Sequence, residues 1–401
     1  MASGSGGKLL LVAIALALAI AAFLQVFVAL QQKTAPQLVL GISGGNAAAN
    51  ARMGDLLFAS IDPAEDPAML VDQIEPYSRR SFQAQGLNVP ALRQMGLLAA
   101  LRNDLDRAEE IFATVRRMSK RDFLTSMYQH ELAYASGNLP QAASYLDDAA
   151  RTSRLARETL MPRAVAFLED PDWRGAIAQE LSQGPDWDDA FWQAALARQE
   201  MSAPTAELRT MLPGDAGLVS ENVTRLVMHN AIRDGHVDEA VAVFRHVAGT
   251  EAANRQMRSN ISFAKGDWPP FHWETFLGSD TLATPVDNGR ALEFSILPSA
   301  QAGLLARRLI RLRPGVYTVD LQAELSARVP ENMASLAVTC GYDNRVLARV
   351  DLAGSGSKTW RESFSVTEDC PMHWLRVESG SNPTQRNLGG RIDRLEVHQV
   401  G

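Results

Sequence analysis

The sequence has no excess of basic residues. Its 39 lysine and arginine side chains are outnumbered by 46 aspartates and glutamates, which gives a formal net charge of -7 and a pI near 5.6. Binding to nucleic acid would need a concentrated positive face. We therefore expect no nucleic-acid partner.

Local catalytic motifs are also scarce. The stretch "HELAY" at 130–134 begins like a zinc-protease helix, but Tyr134 stands where the second histidine ligand is needed. The stretch "AGSGSKTW" lacks the glycine that precedes the lysine of a phosphate loop, and a solvated hairpin loop is favoured there. We expect no metal, no cofactor and no catalytic residue that a local motif reveals.

Cysteine is nearly absent, and the two that occur lie thirty residues apart in strand-like sequence, Cys340 in "ASLAVTCGY" and Cys370 in "VTEDCPMHW". One interpretation is a disulfide, which requires an oxidising compartment. The other is two unrelated buried thiols. The alternation of Leu336, Val338 and Cys340 turns this cysteine towards the core, which favours the disulfide.

Charge is missing altogether from one long stretch, residues 9–30, "LLLVAIALALAIAAFLQVFVAL". A helix of this length crosses a bilayer. A cleaved signal peptide is the alternative, but its apolar part is usually shorter and ends at a small-x-small site. We predict a single-pass anchor that contacts lipid, a cytoplasmic tail at 1–8 and a linker at 31–46. With the disulfide, this places the bulk of the chain outside the cytoplasm, in the periplasm at the inner membrane if the source is bacterial.

Residues 47–265 have a helical pattern that contains an internal repeat. An offset of 34 residues lays "GNLPQAASYL" over "NDLDRAEEIF", and "DGHVDEAVAVF" is a third approximate copy. This period, with a small residue inside the second helix, is typical of tetratricopeptide repeats, whose helices cross closely at alanine or glycine. The predicted packing residues are Leu105, Ala108, Phe112, Leu139, Ala142, Leu146, Val237, Ala240 and Phe244.

The composition changes at "GDWPPFHWETF", because Trp268-Pro269-Pro270 cannot continue a helix. Beyond it, side chains alternate with a period of two, as in "GVYTVDLQAEL". About eight short strands with no helical pattern between them predict an antiparallel β-sandwich, most simply a jelly roll, over 266–401. The predicted fold class is thus α then β: a transmembrane helix, an α-solenoid and a sandwich.

Tryptophans are the most distinctive side chains of the predicted sandwich. Trp268, Trp273, Trp360 and Trp374 either offer flat surfaces for sugar rings or fill the core. Loop oxygens of Asp280, Asp287 and Asn288 either hold a calcium ion or only shape turns.

The combination of the anchor, the degenerate repeats and the stretches "PPFHWETF", "RLIRLRPGVYTVDLQAEL" and "DCPMHWLRVES" resembles a group of bacterial membrane-anchored repeat proteins. Their terminal sandwich is carbohydrate-binding-like, and they are often linked with exopolysaccharide production and the exosortase system. The resemblance implies a scaffold role in the envelope, with a protein partner on the repeats and polysaccharide as a ligand. It carries over no catalytic residue.

Two classes of function remain open from sequence. The first is an interaction protein that binds a partner and a glycan. The second is an enzyme that acts on envelope polysaccharide with two carboxylates distant in sequence. The absence of a local catalytic signature favours the first.

Overall fold

The structure, a computed structural model, describes residues 5–60, 67–152, 154–214, 217–257, 262–341, 343–370 and 372–400. Helices occupy the described residues up to 257. They are α1 Ser5–Gln31, α2 Pro36–Ile42, α3 Ala47–Ala59, α4 Pro67–Ala84, α5 Val89–Leu101, α6 Leu105–Met118, α7 Phe123–Ala135, α8 Leu139–Thr152, α9 Arg154–Ala166, α10 Pro171–Leu181, α11 Asp188–Leu196, α12 Ser202–Met211, α13 Glu221–Arg233, α14 Val237–Ala248 and α15 Thr250–Gln256.

Helix α1 is long and apolar enough to cross a membrane, as its segment Ile14–Gln31 shows with a mean hydropathy of 2.3. Its large side chains are exposed in the isolated chain, for example Phe23 at 67% and Leu30 at 68%. Such a helix is either a membrane anchor or a signal sequence. The predicted linker at 31–46 is partly helical, because α2 lies within it.

The three predicted repeat copies form helical hairpins with the same turn. Asn103, Gly137 and Gly235 have positive φ angles of 60°, 77° and 89°. The next backbone N–H donates to the carbonyl five residues back in each copy, at 3.0, 2.9 and 2.7 Å. This is a Schellman helix end, for which glycine and asparagine are the suitable residues. The internal similarity seen in the sequence is therefore also present in the backbone.

The predicted packing residues mostly lie in these hairpins as expected. Val237 is 5% exposed. Six others are at most 1% exposed, namely Ala108, Phe112, Ala142, Leu146, Ala240 and Phe244. The prediction was wrong for Leu105, which is 49% exposed. Leu105 is the first residue of α6 and lines an open surface groove. Leu139, the first residue of α8, is only half-buried.

Close contact between α5 and α6 depends on a glycine. A Cβ atom added to Gly96 would lie 2.7 Å from the ring of Phe112. The Phe112 ring thus occupies the space that any larger residue at 96 would need, and it stacks on Tyr128 of α7 at 6.2 Å. Glycine at 96 therefore lets α5 and α6 cross closely.

The chain divides into two compact units, Met1–Arg157 and Glu158–Gly401. The change from helices to strands occurs near 266 as predicted, but it falls inside the second unit. Helices α10 to α15 therefore belong to the same unit as the sandwich. The hairpins α5–α6 and α7–α8 lie in the first unit and α13–α14 in the second.

The C-terminal part is an antiparallel sandwich, as predicted. Its strands are β1 Glu274–Thr275, β2 Thr281–Val286, β3 Ala291–Ile296, β4 Gly303–Arg311, β5 Gly315–Val329, β6 Ala334–Cys340, β7 Val346–Asp351, β8 Gly354–Val366, β9 Met372–Ser379 and β10 Leu388–Gln399. One five-stranded sheet has the order β2-β3-β10-β5-β8 and is called the A sheet below. The other, β1-β4-β9-β6-β7, is called the B sheet.

The sandwich core lies between the two sheets and follows the alternation of the sequence. Along β5, Val319, Leu321 and Ala323 are at most 1% exposed, whereas Gln322 and Glu324 point to solvent. Burial of one face on each sheet is what makes this alternation stable. The stretch at 353–360, predicted to be a loop, is instead mostly the start of β8, because it pairs with β5 from Gln322 to Val329.

Cys340 and Cys370 form the predicted disulfide, with their Cα atoms 5.7 Å apart. Both residues are buried, at 1% and 0% exposure. Cys340 ends β6, and Cys370 precedes β9, the neighbouring strand of the B sheet. The bridge therefore ties together two adjacent strands at one end of that sheet.

Candidate functional site

The outer face of the A sheet is polar and open to solvent. Gln322 and Arg361 are exposed on it, as are Arg394 and His398 of β10. No described helix lies over these side chains. This face of the second unit is thus open to a ligand.

Two glutamates flank an arginine at the centre of this face. In the strand register, Glu293 of β3 lies opposite Arg391 of β10, and Arg391 lies opposite Glu324 of β5. Arg391 donates to Asp393 at 2.7 Å and also to Asp287. The hydrogen bonds with Asp393 and Asp287 raise the pKa of Arg391.

A depression lies beside this row, where Gly389 presents no side chain. A Cβ atom there would be 2.7 Å from the carbonyl oxygen of Phe294, so the strand can approach only with glycine. The hydroxyl of Ser326 donates to the Gly389 carbonyl at 2.9 Å, and Ser295 donates to Asn387 at 2.9 Å. The result is a groove of about 370 Å³, called the Gly389 groove, lined by Glu293, Phe294, Ser295, Glu324, Ser326, Asn387, Gly389, Gly390 and Arg391.

Charges elsewhere on this face are satisfied by one another. Arg361 donates to both carboxylate oxygens of Asp320, at 2.5 and 3.2 Å, and the pair lowers the pKa of Asp320. Arg394 donates to Glu396 at 2.6 Å. Within the described part of the chain, by contrast, the carboxylates of Glu293 and Glu324 have no hydrogen-bond or ion-pair partner. The groove therefore holds the unpaired acceptors of the face.

Two of the predicted sugar-stacking tryptophans are buried, which does not fit that prediction. Trp273 is 3% exposed and packs against Phe263 with ring centres 5.2 Å apart. Trp374 is 7% exposed on the outer face of the B sheet, where the guanidinium of Arg307 lies 4.8 Å from its ring. Both indoles are already covered by protein groups.

The other two tryptophans are half-buried. Trp360 pairs with Leu321 across the edge of the A sheet and packs against the core, so it lies on the inner face. Trp268 lies in the segment before β1, where its backbone N–H donates to Nδ1 of His272 at 3.1 Å. Neither lines the Gly389 groove, and their contact with a glycan stays a prediction.

The loop oxygens considered for calcium serve other contacts or turns. Asp287 pairs with Arg391, and Asn288 has a positive φ of 56° in the turn before β3. Among the described residues, no group of three or more histidine, cysteine, aspartate or glutamate side chains has the arrangement of a metal site. Asp287 thus serves an ion pair, and Asn288 serves a turn.

A second groove, of about 260 Å³, lies on the helices of the first unit and is called the α7 groove. It is lined by Leu105, Asp106, Glu109, Gln129, Leu132, Ala133, Ser136, Asn138, Gln141 and Tyr145. Within the described ranges, Asp106 and Glu109 have no ion-pair partner. The groove thus combines apolar surface with two unpaired carboxylates.

No known protein family matches this sequence, and no curated protein matches it either. Several solved structures are similar to part of the chain. The N-terminal cellulose-binding domain of Cellulomonas fimi β-1,4-glucanase C is 15% identical, with 35% of this chain and 93% of that domain covered and a TM-score of 0.24. TmCBM61, solved with β-1,4-galactotriose, is 13% identical over 32% of this chain and 88% of its own, with a TM-score of 0.23. A CBM4 module is also 13% identical, over 29% and 78%, with a TM-score of 0.23.

Proposed function

We propose that this protein is a membrane-anchored interaction protein whose C-terminal sandwich binds a glycan in the Gly389 groove. The observation that carries the proposal is the position of the unpaired acceptors. Glu293 and Glu324 line an open depression in a sheet face whose other carboxylates are mostly engaged by arginines. Sugar hydroxyls are donors that such carboxylates bind with charge-assisted hydrogen bonds. Asn387 adds an amide donor, and the hydroxyl oxygens of Ser295 and Ser326, whose protons are donated within the protein, add acceptors for further sugar hydroxyls.

The proposal is tested by isothermal titration of the full chain in neutral detergent micelles with a panel of neutral oligosaccharides, including β-1,4-linked glucose and galactose oligomers. Glu324→Gln keeps the shape of the side chain and removes its charge, and we expect it to weaken binding about tenfold. Glu362→Gln is the matched control, because Glu362 is exposed on β8 outside the groove. Unchanged affinity in a Glu293→Gln/Glu324→Gln variant would refute the groove as the site.

An enzyme remains the second candidate, because the two groove carboxylates lie on strands separated by one other strand. Two strand spacings place their backbones roughly 10 Å apart, while carboxyl separations of about 5 to 9.5 Å serve glycosidases. Both glutamates are exposed, however, and the general acid of a glycosidase usually occupies an apolar pocket. This favours binding without hydrolysis. Release of reducing ends by the wild type, lost in Glu324→Gln, would support the enzyme instead.

We infer that the repeats, of tetratricopeptide type, bind a protein partner through the α7 groove. Leu105 and Tyr145 offer apolar contact, and Asp106 and Glu109 favour a segment with lysine or arginine. A photoreactive residue at position 105 should capture the partner, and capture should fall in Asp106→Asn/Glu109→Gln. The same photoreactive residue at the exposed position Leu87 is the control.

The cellular setting that we propose is a bacterial inner membrane with the bulk of the chain in the periplasm, in support of envelope or exopolysaccharide assembly. The exposed apolar surface of α1 and the buried disulfide support this topology. Reporter fusions after residue 45 test it. If a reporter that works only in the cytoplasm is active at this position and one that works only in the periplasm is inactive, the topology is overturned.

A further inference from the structure

The second unit has another groove, of about 510 Å³, between α13 and the start of the sandwich. On α13, the lining residues Asn222, Arg225, Leu226 and His229 recur with the spacing of one helical face. The opposite wall comes from the segment before β1, from β1 and from β4. This α13 groove is distinct from the Gly389 groove, since the two share no lining residue.

Hydrogen-bond donors dominate the α13 groove. The single carboxylate among its lining residues is Glu274, which accepts from Arg307 at 2.6 Å. Arg307 is held further by the rings of Trp374 and Phe276, at 4.8 and 5.4 Å from its guanidinium. Neither charge of this pair is therefore left for a ligand to neutralise.

Two cationic side chains of the groove have no such partner. Arg225 and Lys265 form no ion pair or side-chain hydrogen bond within the described residues. Burial beside Arg307 lowers the pKa of His229, so this ring is neutral at pH 7 and adds no positive charge. The uncompensated charge of the groove is thus carried by Arg225 and Lys265.

A buried donor in the same groove is also unpaired. Trp273 is only 3% exposed, and its Nε1 has no hydrogen-bond partner among the described residues. A buried indole N–H normally has an acceptor, because an unpaired buried donor costs free energy. The indole nitrogen itself is enclosed, so the groove offers a ligand the guanidinium of Arg225 and the ammonium of Lys265.

We propose that the α13 groove binds an oxyanion, the carboxylate of an acidic sugar or a phosphate group. Arginine presents its N–H groups in a fork that fits either group, and lysine adds a second positive charge. The neutral His229 and the amide of Asn222 can contact polar atoms next to the anion. The site does not depend on glycan binding in the Gly389 groove.

Isothermal titration of the full chain in neutral detergent, at low salt, tests the proposal with two probes. Tri-galacturonic acid supplies carboxylates and inorganic phosphate supplies the other oxyanion, with neutral galactotriose for comparison. We expect at least one anionic probe to bind, and more weakly at 0.5 M salt because ionic screening increases. Binding of tri-galacturonic acid alone assigns the site to acidic sugars, and binding of phosphate alone assigns it to phosphorylated ligands.

Three variants make the test specific. Arg225→Gln/Lys265→Gln should lower the affinity about tenfold or more, since two charge-assisted contacts are lost. Trp273→Phe keeps an aromatic ring and removes an N–H whose nitrogen is enclosed, and should change the affinity little. Arg313→Gln/Arg386→Gln removes the same charge from exposed positions outside the groove and should change little.

The proposal is overturned if neither anion binds at 10 mM, or if Arg225→Gln/Lys265→Gln binds the anion like the wild type. Glu324→Gln should retain anion binding. A loss of neutral-glycan binding alone would therefore concern the Gly389 groove and leave this site standing.

Discussion

The ring of Phe244 stacks on the ring of Phe271, with centroids 4.4 Å apart and planes 7° from parallel. Phe244 belongs to α14 and Phe271 to the segment that leads into β1, and both are fully buried. The last helical hairpin thus packs against the segment that leads into the sandwich. Both rings lie in the second unit, Glu158–Gly401, which contains the last helices as well as the strands.

Truncation of Phe244 should destabilise the second unit. Phe244→Ala removes the stacked ring from a buried site and leaves a cavity, which costs about 3 to 5 kcal/mol. Phe244→Leu keeps more of the volume and should cost clearly less. Urea unfolding of the full chain, followed by tryptophan fluorescence, measures both. Equal stability of Phe244→Ala and the wild type would show that the contact does not hold the hairpin to the sandwich.

Enlargement of a small residue at a helix crossing should destabilise the first unit. Ala142 is fully buried in α8, and Nδ1 of His130 contacts its carbonyl at 2.9 Å, so the neighbouring helix is close. Ala142→Leu overfills this site and should cost roughly 1 to 3 kcal/mol. Ala135→Leu makes the same change at an exposed position of α7 and should leave the thermal midpoint nearly unchanged. Equal midpoints for the two variants would argue that the 34-residue period has no structural meaning.

Local sequence signals predicted much of this fold. Gly137 indicated a helix end, because few other residues adopt its positive φ. The alternation around Val319 and Leu321 indicated a strand with one buried face. Both signals depend only on neighbours in sequence, and both are confirmed.

Long-range pairing accounts for what the sequence did not predict. Gly354 begins β8 although its glycine-serine stretch is typical of a loop, because β5 supplies the hydrogen bonds. Glu293 and Glu324 alternate with buried residues, so their outward direction was visible in the sequence. Their proximity was not, since it depends on β10 lying between β3 and β5. Likewise, alternation does not say that Trp374 lies on a covered outer face.

Loss of the disulfide should weaken the sandwich. Cys340→Ala/Cys370→Ala opens a loop whose closure contributes about 3 to 4 kcal/mol in the chain-entropy model. Urea unfolding of the wild type with and without reductant should show a comparable difference. Reductant should not affect the double variant. Two free thiols in protein purified from the periplasm would refute the bridge and weaken the proposed localisation.

Acid should destabilise the second unit through His373. This residue of β9 lies opposite Cys340 of β6 in the strand register. His373 is fully buried, and neither ring nitrogen has a hydrogen-bond partner among the described residues. Burial lowers the pKa of His373 from 6.5 to about 4. Between these values the unfolded chain binds a proton that the folded chain does not, so stability falls as the pH falls from 6.5 to 4.

The size of this loss is about 3 kcal/mol across the window. His229 and His272 contribute in the same direction, because burial also lowers their pKa values, so the wild-type slope alone does not isolate His373. Of these three histidine titrations, His373→Leu removes only that of His373. The difference between the two proteins at pH 7.5 measures packing, and any further change towards pH 4 measures protonation. We expect His373→Leu to lose less stability than the wild type over the window, by calorimetry of the full chain. Parallel pH curves would mean that His373 does not remain neutral in the folded protein.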